Sequence, residues 1–258
     1  MERKEDQQEE EEDIVCLDES FFINDNYQLT TFTFGSQVIQ LFCLHSASTD
    51  FDLTGQLVWP GAMLLNDYLS KNDEMLQGCS AIELGSGVGI TGILCSRFCR
   101  DFILKKNVDL HASSENPNDC AGLVAEKLEW GNSDQINQIL QKYSGGFDLV
   151  LGADIYILKC FFLPLIFNNF KQTHFYSTTK ISFQQSSIPL LFDTVKQLLQ
   201  IRGKGNCKFI LAYVSRAKTM DSLVISEATR YGMHISEVSG TRSNVGNLDG
   251  VIFEVTLQ

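Results

Sequence analysis

Cys79-Ser-Ala-Ile-Glu-Leu-Gly-Ser-Gly-Val-Gly-Ile-Thr-Gly-Ile-Leu-Cys-Ser-Arg97 is the stretch whose reading decides the fold. Ala81, Ile82 and Leu84 form a short apolar run of the kind a buried parallel strand presents, and Gly85-Ser86-Gly87-Val88-Gly89 follows at once. Helical spacing then takes over at Ile90, Ile93 and Leu94. The text therefore reads strand, glycine turn, helix start. Glycines at 85 and 87 accept positive φ and carry no Cβ, so a ligand can lie on bare backbone where a helix N-terminus offers unpaired N–H groups. A nucleotide-like ligand suits such a turn. A tight strand-to-helix connection that binds nothing uses the same residues.

Glu83, inside the strand and two residues before Gly85, separates the ligand classes. An acid there is costly to bury unless it meets a donor. Dinucleotide folds carry G-x-G-x-x-G, whereas here the third glycine, Gly89, comes one residue early. That spacing favours S-adenosylmethionine (SAM), whose methyltransferases begin this motif with an acid or its equivalent, over NAD. An NAD enzyme also needs an acid about 20 residues beyond the glycines, and Asp109, near that distance, sits in helical text.

Length and charge narrow the class further. With 258 residues the chain suits one α/β domain plus an N-terminal extension. The formal charge is −12, from 20 Lys and Arg against 32 Asp and Glu, and Met1 to Asp13 supplies eight of those acids against two bases. Residues 1–20 read as a disordered acidic tail with little apolar surface to bury, a solubilising segment or a dock for a basic partner. This sign of charge argues against binding a phosphate backbone, so nucleic acid is not expected as a partner. The eight cysteines show no C-x-x-C pair, which argues against a zinc site and suits reduced thiols in the cytoplasm or nucleus. The start has neither a basic n-region nor an apolar h-region, so no signal peptide is expected. The longest apolar run, Ile157 to Phe167, is broken by Lys159 and Pro164, and no membrane partner is expected.

Tyr27 to Phe34 and Gln37 to Phe42 alternate in the strand manner around Gly35-Ser36, a β-hairpin expected to cover an edge of the fold. Val58-Trp59-Pro60-Gly61 leads into a helix with Met63, Leu64, Tyr68 and Leu69 on one face. Trp59, held extended before a proline, either walls a flat ligand or fills the core. Further on, a helix at Ile188 to Ile201, a strand at Cys207 to Ser215 and a helix at Asp221 to Tyr231 precede two pairing strands, His234 to Ser239 and Val251 to Leu257. The chain between 21 and 258 is thus expected to be an α/β domain. It is a Rossmann-like, doubly wound, mostly parallel sheet with an antiparallel C-terminal edge and an N-terminal hairpin. Its ligand belongs beyond the carboxyl ends of the strands.

Val58-Trp59-Pro60-Gly61 followed by Ile82-Glu83-Leu84-Gly85-Ser86-Gly87-Val88-Gly89 resembles the seven-β-strand methyltransferases grouped as family 16, mostly protein lysine methyltransferases. Leu128-Glu129-Trp130-Gly131 is similar to the family's L-x-W-G after the third strand. Phe147 to Asp154 resembles its fourth strand, which ends in G-A-D and continues as D-x-x-Y. The four motifs, in this order, make the resemblance specific from about Gln28 to the C-terminus. It implies SAM as cofactor, a protein substrate and a monomer. Glu83, Gly85, Ser86 and Gly87 would meet the amino acid end and ribose side of SAM, with Trp59 near its methionine moiety, Trp130 beside the adenine and backbone of Ala153 close by. Asp154 would orient the incoming amine and Tyr156 would add a ring face for a cation. Trp130 as a core anchor and Asp154 as an exposed capping acid are the bland alternatives. Tyr156 falls one residue early for D-x-x-Y, and Ile157 holds the expected position.

Two segments depart from the pattern. Asp101 to Leu110 reads as helix directly after the first helix, leaving almost no second strand and no acid for the ribose hydroxyls, unless Phe102 to Leu104 forms a stub strand with Asp101 as substitute. After Tyr156, an aperiodic stretch from 157 to 183 intervenes as an irregular insert. A deletion and an insertion in one chain point to a splice-type variant, with an added lid as the other reading. The expected activity is SAM-dependent methylation of a lysine side chain on a protein; the alternative is an impaired variant that acts as a non-enzymatic binding protein.

Overall fold

The computed structural model describes residues 27–44, 55–99, 101–104, 122–155 and 173–258. The acidic tail and Tyr156 lie outside them. Two strands, β1 (Tyr27–Phe34) and β2 (Gln37–Leu44), pair antiparallel around Gly35, whose φ of 57° fits the turn. Helix α1 (Pro60–Lys71) starts with proline at its first position, where the missing N–H has no partner to lose. Then follow β3 (Ser80–Leu84), α2 (Ile90–Cys95), β4 (Asp101–Leu104), β5 (Gly122–Ala125), α3 (Ser133–Lys142) and β6 (Leu149–Ala153). The last third contributes α4 (Thr173–Gln200), β7 (Lys208–Val214), α5 (Lys218–Arg230), β8 (Met233–Glu237), β9 (Ser243–Val245) and β10 (Leu248–Leu257).

The main sheet runs β5-β4-β3-β6-β7-β10-β8, with β9 paired to β10. Pairs among β5, β4, β3, β6 and β7 are parallel, and β10 is antiparallel to both β7 and β8. The mostly parallel sheet and its antiparallel C-terminal edge are as expected. The first parallel strand lies inside the sheet and the order reverses there, so the crevice beyond its carboxyl end is a topological switch point.

Period-two alternation divides the core into two layers. Ile82, Leu84, Val150, Phe209 and Leu211 face one side, with Ile136, Ile139, Phe192, Leu198 and Val224 of α3, α4 and α5. Ala81, Leu149, Leu151, Ile210 and Ala212 face the other, with Leu65, Leu69 and Leu94 of α1 and α2. Phe34, Ile39, Leu41 and Cys43 of the hairpin join that second layer. The hairpin therefore packs on α1 and α2; Arg97, just past α2, donates to Gln37 Oε1 and to the Val38 carbonyl.

The expected loss of the second strand is corrected. Asp101–Leu104 is a strand, not helix, and the second position of the parallel sheet is filled: β4 pairs Ser80 with Asp101 and Ile82 with Ile103, and carries β5 on its other side. Four residues suffice because hydrogen bonds come from both neighbours, a non-local gain that local patterning does not register. The expected irregular insert is partly regular as well. Its residues 173–183 form the first turns of α4, which runs through Pro189 to Gln200, and 157–172 lie outside the described residues.

Candidate functional site

At the carboxyl end of β3 the chain makes three left-handed residues in five, with φ of 71° at Gly85, 52° at Gly87 and 84° at Gly89. Only glycine takes these angles without strain. Gly89 caps α2 and accepts from the Ile93 N–H, while its own N–H donates to the Ser86 carbonyl. A Cβ on Gly87 would stand 3.5 Å from the Gly55 carbonyl, so the segment before α1 lies against the turn. Ser86 is buried.

Glu83 is 5% exposed and points into the layer of α1 and α2, where its carboxyl meets the Thr91 hydroxyl and the Gly92 N–H. Thr91 Oγ1 in turn accepts from Asn66 Nδ2 at 3.0 Å, and Asn66 Nδ2 also donates to the Ala62 carbonyl at 2.7 Å. Burial outweighs these donors and pushes the Glu83 carboxyl up to about 8. Among the described residues, three buried acceptors have no partner: Glu83 Oε2, Asn66 Oδ1 and Gln56 Oε1. Orphaned acceptors next to bare backbone are what a ligand carrying an ammonium group and hydroxyls would satisfy, and SAM is such a ligand. The donor set and the glycine cradle fit it.

A cleft beside the turn is lined by Glu83, Leu84, Gly85, Glu126, Leu128 and Trp130, among others. Trp130 is partly buried and packs on the α3/α4 core. Gly131 follows at φ 79°, its N–H donating to Thr194 Oγ1 at 2.8 Å. Asn132 caps α3 by accepting from the Gln135 N–H, and Gln135 Oε1 accepts from the Glu129 N–H. These two bonds fix the Trp130 turn, and the N-cap Asn132 was its visible signal.

A second cluster forms at the end of β6. Ala153 is partly buried and Asp154, at φ 48°, is only 2% exposed. Asp154 Oδ2 accepts from the Gly61 N–H at 2.7 Å and lies 3.2 Å from Arg216 Nη2. The carboxylate thus sits on the N-terminus of α1, where the helix dipole favours it. Burial nevertheless raises its pKa, against the pull of Gly61 and Arg216. Asp154 is therefore not an exposed capping acid, nor does it present a free carboxylate to solvent. Trp59, at the start of α1, has the Arg216 guanidinium carbon 5.5 Å from its ring centroid.

Trp59, Ala153 and Asp154 therefore gather at the ends of β6 and β7, while Glu83, Gly85, Ser86, Gly87 and Trp130 surround the end of β3. Asp101 lies opposite Ser80, at the far end of β3 from the glycine turn, so it does not substitute for the ribose acid. Residues 105–121 are outside the described residues. The sequence reading missed Arg216, Thr91, Asn66 and Gln56; Arg216 stands 62 residues from Asp154, and no local spacing announces that pairing.

Residues 44–173, half of the chain, match a family model described as lysine methyltransferase. The chain is 33% identical over 152 residues to protein N-lysine methyltransferase METTL21A of Mus musculus, covering 54% of this chain and 62% of that one. It is 31% identical over 156 residues to EEF1A lysine methyltransferase 3 of Xenopus tropicalis, covering 54% and 64%. The matches thus span less than two thirds of the length of these curated relatives. Among solved structures, the magnesium protoporphyrin IX methyltransferase of Synechocystis PCC 6803 superposes with a TM-score of 0.44 at 12% identity, covering 77% of this chain and 76% of that one. The sequence match over the glycine turn, the Trp130 loop and the β6 end establishes that the chain belongs to the lysine methyltransferase family.

Proposed function

We propose that this protein is a SAM-dependent N-methyltransferase acting on a lysine side chain of another protein. The observation that carries the reading is the left-handed glycine turn with orphaned buried acceptors beside it, in a chain of the lysine methyltransferase family. SAM supplies a sulfonium-activated methyl group, and no metal is needed for its transfer. Glu83, Gly85, Ser86 and Gly87 hold the amino acid and ribose portions, Trp130 flanks the adenine, and Trp59 and the Ala153 backbone border the reacting end. Asp154, fixed on α1, orients the lysine nitrogen, which must be deprotonated to act as a nucleophile. Tyr156 is assigned a ring face toward the same cation. Relatives named for methylating EEF1A and the electron transfer flavoprotein β subunit support a protein as the substrate class. The buried thiols at Cys43, Cys79, Cys95, Cys99 and Cys207 support a reducing compartment, cytoplasm or nucleus.

Calorimetric titration with SAM, followed by transfer of labelled methyl groups to proteins of a cell extract, tests this function. Saturable heat and a labelled band on lysine are expected; the absence of both would refute it.

A further inference from the structure

Asp154 is buried, and a buried carboxylate needs a cation. The cation it has is held loosely. Arg216 makes a single contact to Asp154 Oδ2, at 3.2 Å, although guanidinium and carboxylate can form two parallel bonds of 2.7–2.9 Å. Among the described residues it also lies over the face of Trp59, at 5.5 Å. The Arg216 side chain remains 36% exposed, so it covers the carboxylate from the solvent side and has room to leave. Its backbone, in contrast, is anchored on both flanks. Ser215 donates its N–H to the Asp249 carbonyl and its hydroxyl to Asp221, whose carboxylate also accepts from Tyr213, and the Ala217 carbonyl begins α5. An anchored stem carrying a weakly held head over a buried carboxylate and an indole face is the arrangement of an exchangeable counter-ion.

We propose that Arg216 is a resident stand-in for the substrate, occupying the seat on Trp59 and Asp154 that the ammonium of an incoming lysine takes over when Arg216 swings out. The seat then selects a substrate cation by exchange: one positive charge leaves the buried carboxylate as another arrives, so the exchange itself does not leave Asp154 uncompensated. The part of this inference that concerns lysine rests on the transferase function, while the seat itself rests on the contacts of Arg216. Arg216 is here a positioning and specificity residue, since it touches neither cofactor nor reacting atoms.

The test uses the full chain with Trp130→Phe, so that Trp59 is the sole indole, and follows its fluorescence during titration with n-butylammonium. Removing the stand-in by Arg216→Ala should tighten probe binding at least about tenfold, and Arg216→Lys should give a smaller gain. The gain should vanish when Asp154→Asn is added, and neutral n-butanol should not reproduce it. An affinity for n-butylammonium unchanged by Arg216→Ala, or a gain that survives Asp154→Asn, would overturn the proposal. Should Arg216→Ala unfold, Arg216→Gln, which keeps a donor without the charge, carries the same expectation. Unfolding of both makes Arg216 a structural ion-pair partner and also overturns it. SAM titration of the parent protein and of Arg216→Ala, both with Trp130 intact, keeps the two readings apart: exchange without SAM binding refutes only the transferase, and SAM binding without exchange refutes only the seat.

Discussion

The two strand ends that flank the switch point treat their polar groups in opposite ways. At the end of β3, the glycine turn is surrounded by buried acceptors left without partners, and Glu83 is pushed toward its neutral form. At the end of β6, the buried Asp154 carboxylate is claimed by donors from α1 and from the loop after β7. The first region keeps unpartnered acceptors, whereas the second is closed on itself. On the proposed function, cofactor binding belongs to the first and cation exchange to the second.

The largest expected effect tests the incomplete side. Gly87→Val places a β-branched residue at φ 52° with its Cβ 3.5 Å from the Gly55 carbonyl, in the space where a ligand would meet backbone. We expect SAM affinity to fall at least about a hundredfold, or ~2.7 kcal/mol, and stability to fall by about 1–2 kcal/mol. Gly205→Val, at φ 80° with nothing within 4 Å of its Cβ, is the matched control. It should show a similar loss of stability by denaturant titration with SAM binding intact. Equal binding losses in both variants would remove the turn's special role.

On the closed side, Gly61→Ala drives a Cβ to 2.7 Å from Asp154 Cγ and 3.0 Å from the Asp154 backbone nitrogen. Neither is the far end of a flexible side chain, so α1 or β6 must shift. The expected cost is about 1–3 kcal/mol, a fall of about 2–4 °C in Tm per kcal/mol for a domain of this size. An unchanged melting curve would show that the contact between β6 and α1 is slack and that Asp154 is not fixed there.

The same contrast explains what could be read from the chain before its structure. The turn at Gly85, the Trp130-Gly131 loop and the β6 end are local patterns, written in adjacent residues, and they lie where expected. Helix, strand and hairpin assignments also followed local period, from the hairpin turn at Gly35 to the pairing of β8 with β10. What escaped depends on distant partners. Strand β4 exists because β3 and β5 hydrogen-bond it from both sides, and its four residues have too little text to declare a period. The hairpin settles on α1 and α2 because Phe34, Ile39 and Leu41 find Leu65, Leu69 and Leu94 there. The partners of Asp154, at positions 61, 214 and 216, are far from it in sequence and come from either side of the domain.

Glu83 gives a subtler measure of incompleteness. Its folded-state value near 8 lies above the ordinary 4.5, so between those pH values the folded chain keeps a proton that the unfolded chain has lost. Stability should therefore decline as pH rises from about 4.5 to about 8 and level off above, by at most ~1.4 kcal/mol per pH unit. Glu83→Gln should flatten that slope. If the ammonium end of SAM satisfies Glu83 Oε2, binding ionises the carboxyl, and close to one proton should be released at pH 7. Calorimetry in buffers of different ionisation enthalpy reads this directly, and zero release by the parent protein would place the ligand's positive charge elsewhere.

The smallest expected effect concerns the hairpin, which touches neither strand end. Arg97 ties it to the turn after α2 through Gln37 Oε1 and the Val38 carbonyl, but the side chain is exposed, so each bond replaces one to water. Arg97→Ala should cost less than about 1 kcal/mol, because the buried Phe34, Ile39 and Leu41 hold the hairpin in place. Ile39→Ala, which empties a position only 1% exposed, should cost about 2–5 kcal/mol. Denaturation of the two variants side by side separates polar tethering from apolar docking. If Arg97→Ala proves the more damaging, the layer formed by the hairpin, α1 and α2 is held by its rim and not by its core, and α1 would carry less of the rigidity that fixes Asp154.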